Sequence, residues 1–438
     1  MEKFLDSYFQ ITRHKSTIHR EFLAGVTTFL TVAYIIVVNP AILEAAGIPK
    51  GPSTVATILT AALGTLIMGL YARRPFAIAP YMGENAFIAF TVVGVLGYTW
   101  PQALGAVFIA GVIFVVITLL KIRSWFVEAI PQCLKYAFAV GIGLFLSLLG
   151  LVEAGIVREG TPSAPVQVGD LSHARPVMAV IGFVVISALL TLRVRGAILY
   201  GMIAVTVAGY LTGLTPVPTE VLSMPPSISD IFLKLDIRGS LSWGFFPVIL
   251  TIFVMSLVDT MGTLIGLSAR AGLLDKDGNL PEIEKPMMAD AVTTVAASLL
   301  GTTTSGAYIE SAAGIEAGGR TGLASVVTAL FFLLALFFAP FLTSVPAYAY
   351  GPALVAVGGL MIGVIHKIDF DDLTELIPAF ATIVLMCFTY NLGVGITAGF
   401  IVFPLMKLLT GRAREVHPGM WALFALSLLF YIFYPYHR

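Results

Sequence analysis

Charge is what this sequence lacks. Only 11% of its 438 residues are Asp, Glu, Lys or Arg, against roughly 25% in a soluble globular domain. Too little polar surface is available to cover a water-soluble protein of this length, which excludes a soluble enzyme. The 25 basic and 25 acidic residues cancel, so no basic excess points to nucleic acid, and no run of like charges points to a solvating tail. Cysteine is nearly absent. Cys133 and Cys387 each stand beside an apolar stretch and fit small buried hydrophobes better than a disulfide or a metal site. All six histidines (His14, His19, His173, His366, His417, His437) fall in tails or loops, which leaves no histidine metal site and no Ser–His pair inside an apolar segment. Neither HExxH nor GxxxxGK[ST] occurs, so zinc proteolysis and ATP-driven pumping are not indicated. The serine of TTSGAYI has no accompanying base. No enzyme, no metal and no cofactor are expected.

What is present is apolar: 58% of the chain is hydrophobic. At about 20 residues per crossing, that supplies on the order of a dozen membrane spans. Apolar windows fall near 22–42, 54–72, 84–97, 101–120, 131–151, 177–193 and 197–213. After a Pro- and Ser-rich connector they resume near 244–267, 287–300, 308–317, 321–343, 351–365, 375–390 and 393–410. With the N-terminus cytoplasmic, 19 of the 25 basic residues fall on the inside, five (Lys50, Arg158, Arg175, Lys234, Arg238) fall outside, and Arg438 is unassigned. A wrong span count would scramble this positive-inside bias. The expectation is therefore an all-α polytopic membrane protein with 14 transmembrane segments. The first 20 residues have no apolar core and are not expected to be a signal peptide. Phe4, Leu5, Tyr8 and Phe9 recur there at helical spacing beside Lys3, Arg13 and Lys15, which predicts an amphipathic helix on the membrane surface. Trp421–Tyr434 is short and aromatic; it is read as either an interfacial helix or an extra crossing.

Seven windows on each side of one connector suggest a duplication. APYMGENAF (79–87) resembles SGAYIESAAG (305–314), QALGAVFIA (102–110) resembles TGLASVVTA (321–329), and IPQCLKYAFAVGIGL (130–144) resembles VPAYAYGPALVAVGGL (345–360), in the same order. An odd number of spans per half inverts the second copy, and inverted repeats with interrupted helices are common in secondary transporters.

Three acids stand out within apolar windows: Glu84, Asp259 and Glu310. Each ionised acid at mid-bilayer costs about 2.5–3.5 kcal/mol, so three together cost roughly 8–10 kcal/mol. They persist if they are paired, protonated or turned to a polar cavity. A structural hydrogen bond to neighbouring backbone is the plainer alternative for each, and beside Glu84 the amide of Asn85 could do the binding instead. Pro80 and Gly83 precede Glu84, and GTTTSG (301–306) precedes Glu310. Both stretches form poor helices, which predicts extended chain leading into a helix near each acid; such backbone is tolerated only inside protein or beside a cavity. Helix starts supply free N–H donors and a partial positive end, and the carboxylates supply acceptors. That set suits a small planar heterocycle with carbonyls and ring N–H groups. An acid in such a dry site could also take and release a proton, which allows coupling to a proton gradient.

At these residues the chain resembles a known family. REFLAGVTTFLTVAYIIVVNP (20–40), APYMGENAF (79–87), VDTMGTLIG (258–266) and GTTTSGAYIESAAGIEAGGRTGL (301–323) are similar to the purine permease branch of the nucleobase–cation symporters, within the nucleobase–ascorbate transporter superfamily. The resemblance implies a uracil-permease-like fold: two inverted seven-segment repeats, with short extended strands leading into half-helices in segments 3 and 10. It implies a core domain (22–120 and 244–343) and a gate domain (131–213 and 344–410). Around these lie an N-terminal segment (1–21), an extracytoplasmic connector (214–243) and a tail (411–438). By motif, Asp259 and Glu310 are the substrate-binding acids, Asn85 a polar residue of purine recognition, and Ala86, Tyr308 and Ile309 backbone contributors. Glu84 is a further substrate-binding candidate, and Glu310, Asp259 and Glu84 are proton-coupling candidates.

Two departures limit the transfer. Uracil and xanthine relatives carry Glu where this chain has Asp259, which leaves more room here, and they often carry Glu-Asn where it reads Glu310-Ser311. The implied activity is import of hypoxanthine, guanine or adenine by proton symport, with an elevator-like motion of core against gate, in the cell inner membrane and as a possible homodimer. The alternatives are an anion, uracil or xanthine carrier on the same fold, or a passive channel.

Overall fold

The computed structural model describes residues 2–122, 125, 128–161, 164–275 and 280–434. Arg123, Lys276, His437 and Arg438 lie outside the described residues, and so do the side chains of Lys3 and Phe4. Fourteen segments follow one another. Spans 1 to 7 are Ile18–Glu44, Lys50–Ala72, the strand Ile78–Pro80 with the helix Met82–Val95, Trp100–Leu119, Gln132–Glu153, Ala174–Thr191 and Ala197–Leu211. Spans 8 to 14 are Trp243–Ala271, Glu284–Leu300, the strand Ser305–Ala307 with the helix Ser311–Glu316, Gly322–Thr343, Ala347–Lys367, Leu373–Phe388 and Leu392–Leu409. Nine of these helices among the described residues are long and apolar enough to cross a membrane. Span 6 leaves Val177, Val180, Ile181 and Val184 exposed, an i, i+3, i+4, i+7 stripe suited to hydrocarbon.

The packing carries the duplication. Span 4 packs on span 9 and span 2 on span 11; span 1 packs on 11 and span 8 on 4; span 5 packs on 13 and span 12 on 6. Each contact turns into its partner when the span numbers move by seven. Spans 3 and 10 therefore pair with each other, and spans 5 and 12 do the same. In the first pair the strands run antiparallel, with Ile78 opposite Ala307, Ala79 opposite Gly306 and Pro80 opposite Ser305. Two strands lying inside a helical protein satisfy each other's backbone groups where no water is at hand. Gly301, at φ 95°, ends span 9 in the left-handed region and releases Thr302–Thr304 into the extended run that becomes the second strand.

Spans 5 and 12 cross through glycines. A Cβ on Gly143 would lie 2.7 Å from the carbonyl oxygen of Gly358, and one on Gly150 would lie 2.5 Å from that of Gly351. Small residues at such crossings let backbones approach where lipid offers no hydrophobic drive. The contacts sort the molecule into two groups, spans 1–4 with 8–11 and spans 5–7 with 12–14.

Two terminal segments take definite places. The helix Glu2–Phe9 forms, and Phe9 and Ile11 are buried against Leu323. Much of its apolar side is thus turned to protein rather than to a lipid surface. All of the stretch Trp421–Tyr434 but its last residue lies in the helix Pro418–Phe433, which packs along spans 14 and 8. Its far end meets the first residues of those spans: Trp243 stacks on Phe433 at 4.9 Å, and Asn391 Nδ2 donates to Tyr434 Oη at 2.8 Å. It therefore runs back along span 14, outside the two repeats.

Candidate functional site

Span 1 breaks at Ala33–Tyr34, shortly before Pro40, which cannot donate a helical hydrogen bond. The break turns Tyr34 toward the paired strands. Tyr81 follows one strand and Tyr308 the other, in equivalent positions of the two repeats. Their rings lie nearly parallel, 12° apart in plane, with centroids separated by 6.3 Å. Tyr308 Oη donates to the carbonyl of Pro80 on the opposite strand, and the Tyr81 ring covers Gly306, where a Cβ would collide with it. Each tyrosine thus covers the other repeat's strand.

A cavity of about 130 Å³ opens beside these rings. Asp259 and Thr263, one helical turn apart on span 8, form one wall. Ala307, Tyr308, Ile309 and Glu310 form another, and Met82 and Gly83 contribute the start of the span 3 half-helix. Ile142 and Leu146 of span 5 with Val357 and Met361 of span 12 close it. Both helix groups therefore line the cavity. The described residues around it include no Lys, Arg or His. Tyr34 Oη donates to Glu310 Oε1 at 2.7 Å, and Thr31 Oγ1 donates to the Glu310 carbonyl at 3.3 Å. Tyr34 thus holds one carboxylate oxygen of Glu310 at the edge of the cavity.

Of the residues singled out from the sequence, Asp259, Glu310, Tyr308 and Ile309 come together on this cavity. Glu84, Asn85 and Ala86 do not reach it; all three are fully buried behind it. Asn85 Nδ2 donates to Asn39 Oδ1, and its own Oδ1 accepts from Thr303 Oγ1. Asn39 Nδ2 in turn reaches Thr57 at 2.7 Å and Thr302 at 3.0 Å. Asn85 thus ties spans 1, 2, 3 and 10 together. Glu84 Oε2 accepts from Ser256 Oγ at 2.7 Å.

Several residues were not singled out from the sequence. Tyr34, Tyr81 and Thr263 line the cavity, and Asp290, 3% exposed, accepts from Thr260 Oγ1. Ser256, Asp259, Thr260 and Thr263 follow i, i+3, i+4, i+7 spacing, so a polar stripe on span 8 was readable. Asp290 lies inside the window 287–300 but near its edge, where an acid reads as a loop residue. Glu21 is a further buried acid; it accepts from the backbone N–H groups of Arg320 and Thr321 at 3.0 and 3.2 Å, at the start of span 11.

A larger cavity of about 540 Å³ lies elsewhere, among Glu153, Asp170, His173, Arg175 and Tyr348 at the ends of spans 5, 6 and 12. It holds none of the intramembrane acids. Among the described residues no group of three or more His, Cys, Asp or Glu could hold a metal ion.

A family described as the Permease family matches residues 19–402. The chain belongs to the Permease family. A permease moves its substrate without converting it, so the chain is a multi-pass membrane transporter rather than an enzyme. A protein of Methanocaldococcus jannaschii is 47% identical over 99% of both chains. The permease is also 37% identical to an adenine permease of Escherichia coli, over 99% of this chain and 97% of that one. To a guanine/hypoxanthine permease of Bacillus subtilis it is 39% identical, over 98% and 100%. These relatives match the purine branch that the motifs resemble. Among solved structures, the transmembrane domain of a cyanobacterium bicarbonate transporter superposes with a TM-score of 0.65 at 17% identity, over 87% of this chain and 96% of that one. That likeness concerns the fold alone, the seven-plus-seven inverted repeat.

Proposed function

We propose that the permease imports purine nucleobases by proton symport across the cell inner membrane. The observation that carries this reading is the cavity in which Asp259 of span 8 and Glu310 of span 10 meet the parallel rings of Tyr81 and Tyr308. A purine is flat and carries ring N–H donors on its edge. Carboxylates accept from those donors, aromatic rings accept its faces, and the absence of Lys, Arg or His from the described lining disfavours an anion. Relatives that are adenine and guanine/hypoxanthine permeases support the purine class.

In this reading Asp259 and Glu310 bind the edge of the base, and Tyr308 and Ile309 contribute backbone. Asn85 and Ala86 act from behind by fixing the span 3 half-helix. Glu310, Asp259 and Glu84 are the groups that can carry the coupled proton. Spans 1–4 with 8–11 are the core, and spans 5–7 with 12–14 are the gate. Core slides against gate in an elevator-like motion, supported by a cavity that both groups line. The N-terminus faces the cytoplasm, the connector 214–243 faces outward, and two gate domains meet in a homodimer.

Uptake of labelled hypoxanthine, guanine, adenine, xanthine, uracil and sulfate into proteoliposomes, with and without an inward proton gradient, tests this. A purine is expected to accumulate only with the gradient. A hydrogen bond to a charged group contributes about 1.5–3 kcal/mol, so Asp259→Asn and Glu310→Gln should each weaken binding about tenfold to a hundredfold. Normal accumulation by both variants would overturn the site, and uptake of sulfate or uracil alone would overturn the substrate class.

A further inference from the structure

We infer that Glu84, rather than either acid on the cavity, carries the coupled proton. This assignment rests on the symport reading above and goes beyond it by separating the proton site from the substrate site.

Glu84 occupies the first turn of the span 3 half-helix and is fully buried. Ser256 Oγ occupies one of its carboxylate oxygens at 2.7 Å. The other, Oε1, makes no hydrogen bond of good geometry; the Thr304 hydroxyl, likewise unsatisfied, stands beside it, close enough to bond weakly. A buried carboxylate oxygen without a well-placed donor is costly when the group is charged, whereas a protonated oxygen can itself donate to the neighbouring hydroxyl. The structure therefore provides a vacant position for a proton at Oε1.

Among the described residues, the titratable groups near Glu84 give no compensating charge. They are Asp259 on span 8, Asp290 on span 9, Tyr81 at the start of its own helix and Tyr308 on span 10. Span 5 packs against the same half-helix and presents Ile142 to Gly83, with 2.7 Å from the methyl group to a Cβ placed on that glycine. With acidic neighbours and no cation near it among the described residues, a proton is the simplest counter-charge available to Glu84.

Span 8 joins this position to the substrate. Ser256, which holds Glu84, lies one helical turn before Asp259, which lines the cavity. An ionised Glu84 would bring a second negative charge toward Asp259 at the moment that Asp259 must accept from a base. Protonation of Glu84 removes that repulsion and favours substrate binding; by reciprocity, bound substrate favours protonation of Glu84. The balance is one proton taken from water on one side, forming an O–H bond at Oε1, and one returned to water on the other side when that bond breaks. The substrate is unchanged.

The test compares accumulation with exchange in proteoliposomes. For one proton per base, each pH unit of gradient supports about tenfold accumulation. Glu84→Gln imitates the protonated acid. It should retain base binding and base–base exchange, show binding independent of pH, and lose gradient-driven accumulation, its internal concentration stopping at the external one. Asp259→Asn in the same assay should lose binding and exchange. If Glu84→Gln still concentrates base under a proton gradient, or loses binding as Asp259→Asn does, the assignment is overturned. Accumulation by the unaltered permease under a sodium gradient but not a proton gradient would overturn it as well. Failure of the unaltered permease to bind any purine would sink the functional reading instead. Should Glu84→Gln not fold, Ser256→Ala and Thr304→Val alter the surroundings of Glu84 without touching the cavity. Each should shift the pH at which binding is half-maximal while leaving the affinity at the optimum within about twofold, and an unshifted profile in both overturns the assignment.

Discussion

At the scale of single residues, the cavity divides its acids into two kinds. Asp259 and Glu310 face the cavity, whereas Glu84 and Asp290 are set behind it, each bonded to a hydroxyl of span 8. Tyr34 belongs with the first kind because its hydroxyl donates to Glu310. Removing that donor while keeping the ring should leave the carboxylate free to rotate and cost part of the binding. Tyr34→Phe is expected to weaken purine binding about five- to tenfold, on the order of 1–1.4 kcal/mol, with the fold intact. Isothermal titration beside a thermal melt checks this, and an unchanged affinity would remove Tyr34 from the site.

Three of the buried acids were legible, since an acid well inside an apolar window is conspicuous whatever the fold, whereas Glu21 and Asp290, nearer the edges, were not. Which of the three face the cavity was not legible. Glu84 and Asn85 are neighbours of the cavity-lining Gly83 in sequence, yet the first turn of the half-helix rotates them away from it. Tyr34 gave no signal, because a tyrosine in an apolar run is ordinary. Only the break in span 1 sets it against a carboxylate 276 residues away.

At the scale of elements, the paired strands and the glycine crossing are what the inverted repeat brings about. Pro80 and Gly83 before Glu84, and the Gly-Thr-Thr-Thr run before Glu310, announced that neither stretch would be a straight helix. That the two would pair in register required the fold. The crossing of spans 5 and 12 has a built-in control. A Cβ on Gly358 would collide with the carbonyl oxygen of Gly143 and the hydroxyl of Ser147, whereas one on neighbouring Gly359 would meet nothing within 4 Å. Gly358→Ala should therefore destabilise the protein by about 1–3 kcal/mol, and Gly359→Ala by no more than about 0.5 kcal/mol. Melting in detergent separates them; equal effects would mean that the crossing is looser than described.

At the scale of the whole molecule, the added helix Pro418–Phe433 is reached through a cluster of charges at the end of span 14. Lys407 Nζ, only 2% exposed, lies 2.9 Å from Glu415 and 3.7 Å from Asp372. Arg412 bonds both acids at 2.7 Å. Hydrogen bonds from Thr374 and then Arg412 hold the Asp372 carboxyl well below the usual carboxylate range. Hydrogen bonds from Arg412 and then Lys407 hold Glu415 down to about 2. A carboxyl lowered in the folded state contributes stability that is present above its unfolded value, near 4. That stability is lost as pH falls from there through the folded value. The melting temperature should therefore drop between about pH 5 and pH 2. Glu415→Gln should melt lower at pH 7 and fall less steeply over that window, and a parallel fall would show that other groups set the acid limit. Because the acids are partly exposed, high salt should reduce the difference.

Composition and the placement of apolar windows and basic residues were enough to define a membrane protein of fourteen segments in two halves. Those properties come from the local free energy of putting each stretch into lipid, and local sequence sets that energy. Three matters waited for the folded chain: the face toward which each buried acid turns, the mating of the two strands, and the course of the last helix along span 14. Each depends on contacts between residues hundreds of positions apart. No local preference encodes them, because the energy that decides them exists only once the two repeats have closed on each other.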